Sequence, residues 1–240
     1  MTGLVHAAPA PQAWRQAWFQ AWSPSGLARL SGGPARGGPA ELRIDVERPA
    51  EDLERELDDL QRRIGLRGDA LHGLPLLGIA LPGFVFRHRE AGGEHYVYVE
   101  DAATGILAGY TVFNHVPEAG RSAARHLRAP HSKYRAAYQR RGIASAVYRW
   151  WLESGRCLLS GARQSSGAHA LWRALAQRHA LLYVDLRDKS LRCLGSEVDP
   201  CLREALFTRM ILLGQGWNPA LLASRTGMRD PACTDGREAC

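Results

Sequence analysis

The chain has 240 residues, and 31 Lys and Arg against 24 Asp and Glu give it a net charge of +7. Hydrophobic residues make up 45% and charged residues 23%, the balance of a globular domain, which excludes wholesale disorder and collagen-like or coiled-coil architectures. The length excludes a large multidomain machine.

Lys133 and Lys189 are the only lysines, so the basic side is almost entirely arginine. Arginine presents a planar fork suited to phosphate or carboxylate, although a GC-rich genome produces the same bias. The five cysteines stand at 157, 193, 201, 233 and 240, with no CxxC and no Cys/His cluster. Neither a disulfide framework nor a metal site is expected, and a reducing, cytoplasmic setting is. The nine histidines are dispersed. No apolar run approaches ~18 residues, so no membrane span is expected. The N-terminus lacks the charged-then-apolar order of a secretory signal.

Trp14, Trp18 and Trp22 recur at helical spacing and share one face. They read either as a helix packing on the main domain or as a docking helix for a protein partner or a membrane surface. Ser23 to Pro39 is rich in Gly, Pro and Ala and reads as a linker. Leu42, Ile44 and Val46 alternate as in a half-buried strand. Pro49 opens a helix with Leu53, Leu57, Leu60 and Ile64 on one stripe, ending near Gly65.

Residues 83–114 predict a β-meander: Phe84 to Arg89, a strand around Tyr96 to Glu100, and Ile106 to Phe113. Residues 119–152 carry eight Lys or Arg and no acid. That run is either a solvated basic face or an anion site, and the glycine-bearing turn that follows favours the second. A strand covers roughly Arg128 to Ala136. A helix follows from about Gly142, with Ile143, Val147, Trp150 and Trp151 inward and Gly155 as its stop. Cys157 to Leu159 is a short buried strand, and Cys157 reads as a small core residue. Ser165 and Ser166 cap a second helix, with Ala168, Leu171, Trp172 and Leu175 inward. Leu181 to Leu186 and Leu191 to Leu194 are strand candidates. Met210 to Leu213 is open between strand and helix, and the polar tail after Arg225 is expected to be mobile.

The segment that carries chemistry is Tyr138-Gln139-Arg140-Arg141-Gly142-Ile143-Ala144, between a strand and a helix. A helix N-terminus offers unpaired N–H groups and a partial positive charge, on which a diphosphate can sit. Gly142 lets oxygens approach the backbone, and Arg140 and Arg141 add charge-assisted contacts.

Here the chain resembles the GNAT superfamily of N-acetyltransferases. Gln139, Gly142 and Ala144 match that family's acetyl-CoA signature, and the surrounding order of elements is similar over roughly residues 80–195. The resemblance implies an α/β fold with a mixed, mostly antiparallel sheet flanked by helices. It also implies a parallel crossover from Arg128–Ala136 through the helix to Cys157–Leu159, opening the sheet where CoA enters. On this reading residues 1–40 are an extension, 41–224 the acyltransferase-like domain and 225–240 a tail. Acetyl-CoA would be the acyl donor and an amine the acceptor, with no metal. Gln139, Arg140, Arg141, Gly142, Ile143 and Ala144 would hold the diphosphate. Tyr134 and Ala136 would pair through their backbone with the pantetheine arm, and one N–H there would polarise the thioester. Ser165 would contact that arm or cap its helix.

The chain departs from the pattern at one place. The family's acid is often a Tyr in the helix that here spans Ser165 to Ala176, and this helix has none. His169 and Tyr183 are the substitutes. Glu100 and Asp101 are base candidates, with a plain turn the competing role for Asp101. Two other readings stay open: a catalytically silent CoA-binding or partner-binding module, and an arginine-rich RNA-binding protein.

Overall fold

The computed structural model describes residues 50–162 and 164–229. The Trp14/Trp18/Trp22 stripe, the Ser23–Pro39 linker, the Leu42–Val46 strand and the last eleven positions lie outside them.

The expected helix forms α1, Ala50–Gly65. Glu51 and Asp52 lie in its first turn and Arg62 and Arg63 in its last, each complementing the helix dipole. Its stripe buries Leu57 and Leu60. The meander follows as β1 (Phe84–Ala91), β2 (Glu94–Asp101) and β3 (Leu107–Asn114). A short helix α2 (Gly120–Ala124), which the sequence reading missed, leads to β4 (Leu127–Tyr134). Then come α3 (Ile143–Glu153), β5 (Cys157–Leu159), α4 (Ser166–Leu175), β6 (Leu181–Arg187) and β7 (Ser190–Gly195). The chain finishes with α5 (Pro200–Glu204), β8 (Thr208–Leu212) and α6 (Pro219–Thr226). Residues 208–212 are thus a strand, and the chain stays tied in past Arg225. Met228 is buried, and Arg229 bridges to Arg192 on β7.

One eight-stranded sheet has the order β1-β2-β3-β4-β5-β8-β6-β7. Every pairing is antiparallel except β4 with β5. The crossover β4–α3–β5 therefore joins two antiparallel halves, as expected. The parallel contact is short, Leu127 opposite Cys157 and Arg128 opposite Leu158. Beyond Arg128 the rest of β4 has no strand on that side, and the sheet splays open.

Period-two alternation divides the core into two layers. Val97, Val99, Tyr134, Leu158, Tyr183, Met210 and Leu212 pack with Val147, Trp151 and Trp172 of α3 and α4. Leu127, Ala129, Cys157, Leu159, Val184 and Ile211 pack on the other face with Ala123 of α2 and Leu222 of α6. Trp151 is 2% exposed and lies flat on Phe113, ring centres 3.9 Å apart. Burial pushes the Cys157 thiol up to about 11, which fits an inert core residue.

Gly109 on β3 sits under the ring of Tyr134. A Cβ there would strike the Lys133 carbonyl oxygen and come within 2.6 Å of the Tyr134 Cα. Gly109→Ala is therefore expected to cost about 2 kcal/mol, measurable as a lower urea midpoint with an unchanged slope.

Candidate functional site

The open edge of β4 can be read atom by atom. Arg135 donates its N–H to Ala108 C=O at 2.9 Å, so the odd-numbered residues of β4 turn their backbone groups toward β3. The even-numbered ones turn theirs toward β5, which accompanies them only at Arg128. The N–H groups of Ser132 and Tyr134 thus face the gap. Pro130 has no N–H to offer. Ala136, expected on the strand, instead starts a 3₁₀ turn, Ala136–Tyr138, and its C=O accepts the N–H of Gln139 at 3.3 Å. The pairing edge ends at Tyr134, so Ala136 lies beyond it, and Ser132 is the other residue whose N–H faces the gap.

The turn then reverses the chain into α3. Gln139 is extended, Arg140 has φ +57° and Gly142 has φ +78°. Gly142 is the N-cap of α3, and no side chain caps this helix. The first helical bond runs from Ala146 N–H to Gly142 C=O at 3.0 Å. The N–H groups of Ile143, Ala144 and Ser145 precede it and have no partner within the helix. Helices α4 and α6 differ, because Ser165 and Asn218 cap them through their side chains. A Cβ built on Gly142 meets nothing within 4 Å. The glycine therefore answers the left-handed backbone and leaves the space before α3 clear.

The arginines of the basic run separate into groups. Arg141 lies over the rings of Phe84 (4.7 Å) and Tyr138 (5.2 Å), which hold its guanidinium beside the turn. Arg140 is exposed next to it. Arg149 bonds the Ser145 carbonyl one turn back. Arg128 bonds the Ala124 and Leu127 carbonyls. Lys133 and Arg135 point to the opposite face of the sheet, where α1 meets them with acids. Lys133 pairs with Glu56 at 2.6 Å, and Arg135 with Glu54 and, at 2.6 Å, Asp58. The run is thus partly an internal ion-pair layer and only partly a site. Gln139 reaches back through Nε2 to the Tyr134 carbonyl at 3.1 Å, which braces the turn and occupies the side chain expected at the diphosphate.

The four candidate acids and bases are not brought together. Glu100 shares its face of β2 with Tyr96 and Tyr98, opposite Val97 and Val99, and binds Arg87 at 2.7 Å. It lies on the wrong side of the sheet to serve the gap. Asp101 accepts the N–H groups of Ala103 and Thr104, which hold its carboxyl below the usual range and make it a turn residue. His169 is half-buried on α4, and its ring makes no hydrogen bond among the described residues. Tyr183 is 2% exposed on β6, between Gly195 and Met210. The Ser165 hydroxyl accepts Ala168 N–H at 3.2 Å, so it caps α4.

A cluster the sequence reading overlooked stands beside the open edge. Thr111 Oγ lies 2.7 Å from Ser132 Oγ and 2.8 Å from the Tyr134 hydroxyl, and Ser132 also donates to the Tyr148 hydroxyl at 3.3 Å. Burial raises Tyr134 well above its ordinary pKa and pushes Tyr148 up to about 12. Both phenols stay protonated, and the Tyr148 hydroxyl accepts from Ser132. Tyr148 lies on α3, not on α4, and its spacing from Gly142 carried no signal for it. Two cavities, of about 550 Å³ and 260 Å³, lie against α4 and the loop after β7.

No protein-family model and no curated protein matches the sequence. Solved structures do. One is a GNAT superfamily phosphinothricin acetyltransferase from Sinorhizobium meliloti in complex with acetyl-CoA, with 18% identity and a TM-score of 0.34 over 70% of this chain and 87% of that one. Another is a cAMP-binding acyltransferase from Mycobacterium smegmatis, with 10% identity and a TM-score of 0.36 over 72% of this chain. The match spans 57% of the mycobacterial chain. These likenesses concern the general course of the chain and not its reacting groups.

Proposed function

We propose that the protein is an acetyl-CoA-dependent N-acetyltransferase. One observation carries this reading: an uncapped helix N-terminus, preceded by a left-handed glycine, opens directly beside the splayed edge of β4. The free N–H groups of α3, with Arg140 and Arg141, suit a diphosphate. The edge groups of Ser132 and Tyr134 suit an extended amide chain running along the strand, as an added strand would.

In the reaction the amine nitrogen attacks the thioester carbonyl carbon. The C–S bond breaks, the amine gives up a proton, and the departing thiolate takes one. An N–H on the β4 edge would stabilise the oxyanion during this transfer. The Ser132–Tyr148 pair holds that edge against α3. Glu100, paired with Arg87 on the face of β2 opposite Val97 and Val99, is assigned no role here. Tyr183 and His169 remain the candidate proton-handling side chains.

A CoA-release assay across small amines, amino acids, antibiotics, protein amines and aminoacyl-tRNA tests the reading. Steady thiol release with at least one amine is the expected result. Acetyl-CoA binding without turnover on any of them would replace it with a silent CoA-binding module.

A further inference from the structure

The hydroxyl cluster beside the β4 edge has a direction. Ser132 gives its one hydroxyl proton to the Tyr148 oxygen, at 3.3 Å. Thr111, 2.7 Å from Ser132, must then be the donor in that contact, and its own proton is spent there. The Tyr134 hydroxyl, 2.8 Å from Thr111, is left to donate to it. The hydrogen bonds therefore run from Tyr134 through Thr111 and Ser132 to Tyr148. Tyr148 accepts the last of them, and its hydroxyl donates to no other group among the described residues. Thr111 is wholly buried, and Tyr134 and Tyr148 are nearly so. A buried hydroxyl with an unspent proton is a place for a hydrogen-bond acceptor to arrive.

The strand fixes where along the edge that acceptor falls. The N–H groups of Tyr134 and Ser132 face the gap, and Pro130 has none to give. The turn before α3 follows the C-terminal end of β4. An acyl-CoA anchored there by its diphosphate meets Tyr134 first and Ser132 last. Its thioester is at the far end of the pantetheine arm from the diphosphate. The thioester carbonyl therefore comes to the Ser132 end, where the strand offers an N–H. Helix α3 runs back along β4 in the crossover, which brings the Tyr148 hydroxyl to the same place.

We infer that Tyr148 is a catalytic residue of the acyl transfer: its hydroxyl and the Ser132 N–H together hold the thioester oxygen, and Thr111 and Tyr134 are positioning residues that aim it. The inference rests on the acyl-transfer reading. When the amine nitrogen bonds to the carbonyl carbon, the π electrons pass to oxygen, and both hydrogen bonds strengthen on the developing charge. When the C–S bond breaks, those electrons return to the carbonyl. The amine's proton ends on the sulfur, and none passes through Tyr148. Burial pushes this phenol up to about 12, well above an ordinary thiol at about 8.5. Its proton would move uphill to reach a departing thiolate, whereas a hydrogen bond to the oxyanion asks for no transfer.

The test needs no amine. Acetyl-CoA isotopically labelled at its thioester carbonyl is bound to the full chain, and the carbonyl stretch is read by difference infrared spectroscopy. The wild-type band is expected at lower frequency than that of free acetyl-CoA. Tyr148→Phe should return it part of the way while the dissociation constant stays within about threefold. Thr111→Val should move the band in the same direction, and Thr111→Ser, which keeps the hydroxyl, should restore it. These two decide by the same band if Tyr148→Phe does not fold. With an amine that the CoA-release assay identifies, Tyr148→Phe should lower kcat about 100-fold and leave the KM for acetyl-CoA within about threefold. A band unmoved by both Tyr148→Phe and Thr111→Val overturns the inference. So does a basic limb of the rate–pH profile that disappears in Tyr148→Phe, because the phenol would then be a proton donor. A wild-type protein that does not bind acetyl-CoA overturns the acyl-transfer reading, and this inference with it.

Discussion

Gly142→Glu is expected to abolish the rise in melting temperature that the donor-site proposal predicts for the wild-type protein with acetyl-CoA. The reason is local. Gly142 is the uncapped start of α3, with clear space where a Cβ would stand. A longer side chain therefore does not collide with the protein. It projects a carboxylate into the place proposed for a diphosphate, and it forces a side-chain residue to hold φ +78°. The wild type, at about 100 times its dissociation constant, should gain about 2.7 kcal/mol. For a domain of this size that is roughly 5–11 °C. Gly142→Ala distinguishes the two effects, because it keeps the backbone strain without the charge. It should lower the melting temperature of the free protein and still respond to acetyl-CoA. A wild-type protein unmoved by millimolar acetyl-CoA would sink the donor-site reading.

The second large effect is a loss of stability in mild acid. His88 and His95 stack on neighbouring strands, with Nε2 and Nδ1 3.2 Å apart and ring centres 5.4 Å apart. Trp150 and Trp151 close over them edge-on. Burial lowers both pKa values, and that of His95 falls to about 4. Arg156 pushes both further down, while Glu90 pulls the other way. Both rings are thus neutral in the folded protein, while in the unfolded chain each titrates near 6.5. Above pH 6.5 neither state is charged and the pair contributes no pH dependence. Below it the unfolded chain takes up protons that the folded one refuses, so stability falls until about pH 4. His95 contributes up to about 1.4 kcal/mol per pH unit in that window, and His88, lowered in the same direction, adds a loss of the same sign.

His126, also lowered by burial, adds a smaller loss of the same sign. Glu118, raised by burial, offsets part of it near pH 4.5. The depressed carboxyl of Asp69, held down by Arg63, matters only below about 3.8. Urea midpoints between pH 7 and 4.5 should therefore fall steadily. His95→Gln should flatten that fall even if it lowers the midpoint at pH 7. An unchanged slope in the variant would refute the assignment.

The meander and the β4–α3–β5 crossover were legible because their signals are local. Alternation marks Tyr96 to Glu100, turn residues separate the strands, and Gly142 and Gly155 bracket α3. Helices α2 and α5 span five residues each, too few to show a period. The glycine-bearing turn before α3 was legible from its motif together with the strand and helix on either side of it. The acid and base candidates were not, because the face of a residue depends on register. Glu100 and Val99 are neighbours in the chain and lie on opposite faces of the sheet. Tyr148 was passed over because a tyrosine was sought on α4, while the fold supplies one from α3 across to Ser132. Lys133 and Arg135 were counted with the anion site because their partners, Glu54, Glu56 and Asp58, lie about 80 positions earlier in the chain.

That last pairing makes α1 a counter-ion written into the chain. Three of its carboxylates neutralise the two cations on the back of β4, while Arg140 and Arg141 stand exposed at the turn before α3. We expect a polyanion arriving from solution to be steered to that turn rather than to the α1 face. The same helix places the start of the folding unit at or before residue 50, earlier than the motif-bearing core suggests. A chain shortened to begin at residue 80 would bare Tyr110, remove the Glu56 carboxylate its hydroxyl bonds, and leave Lys133 and Arg135 with no acid from α1. We expect it to be insoluble, although it retains every residue of the donor turn.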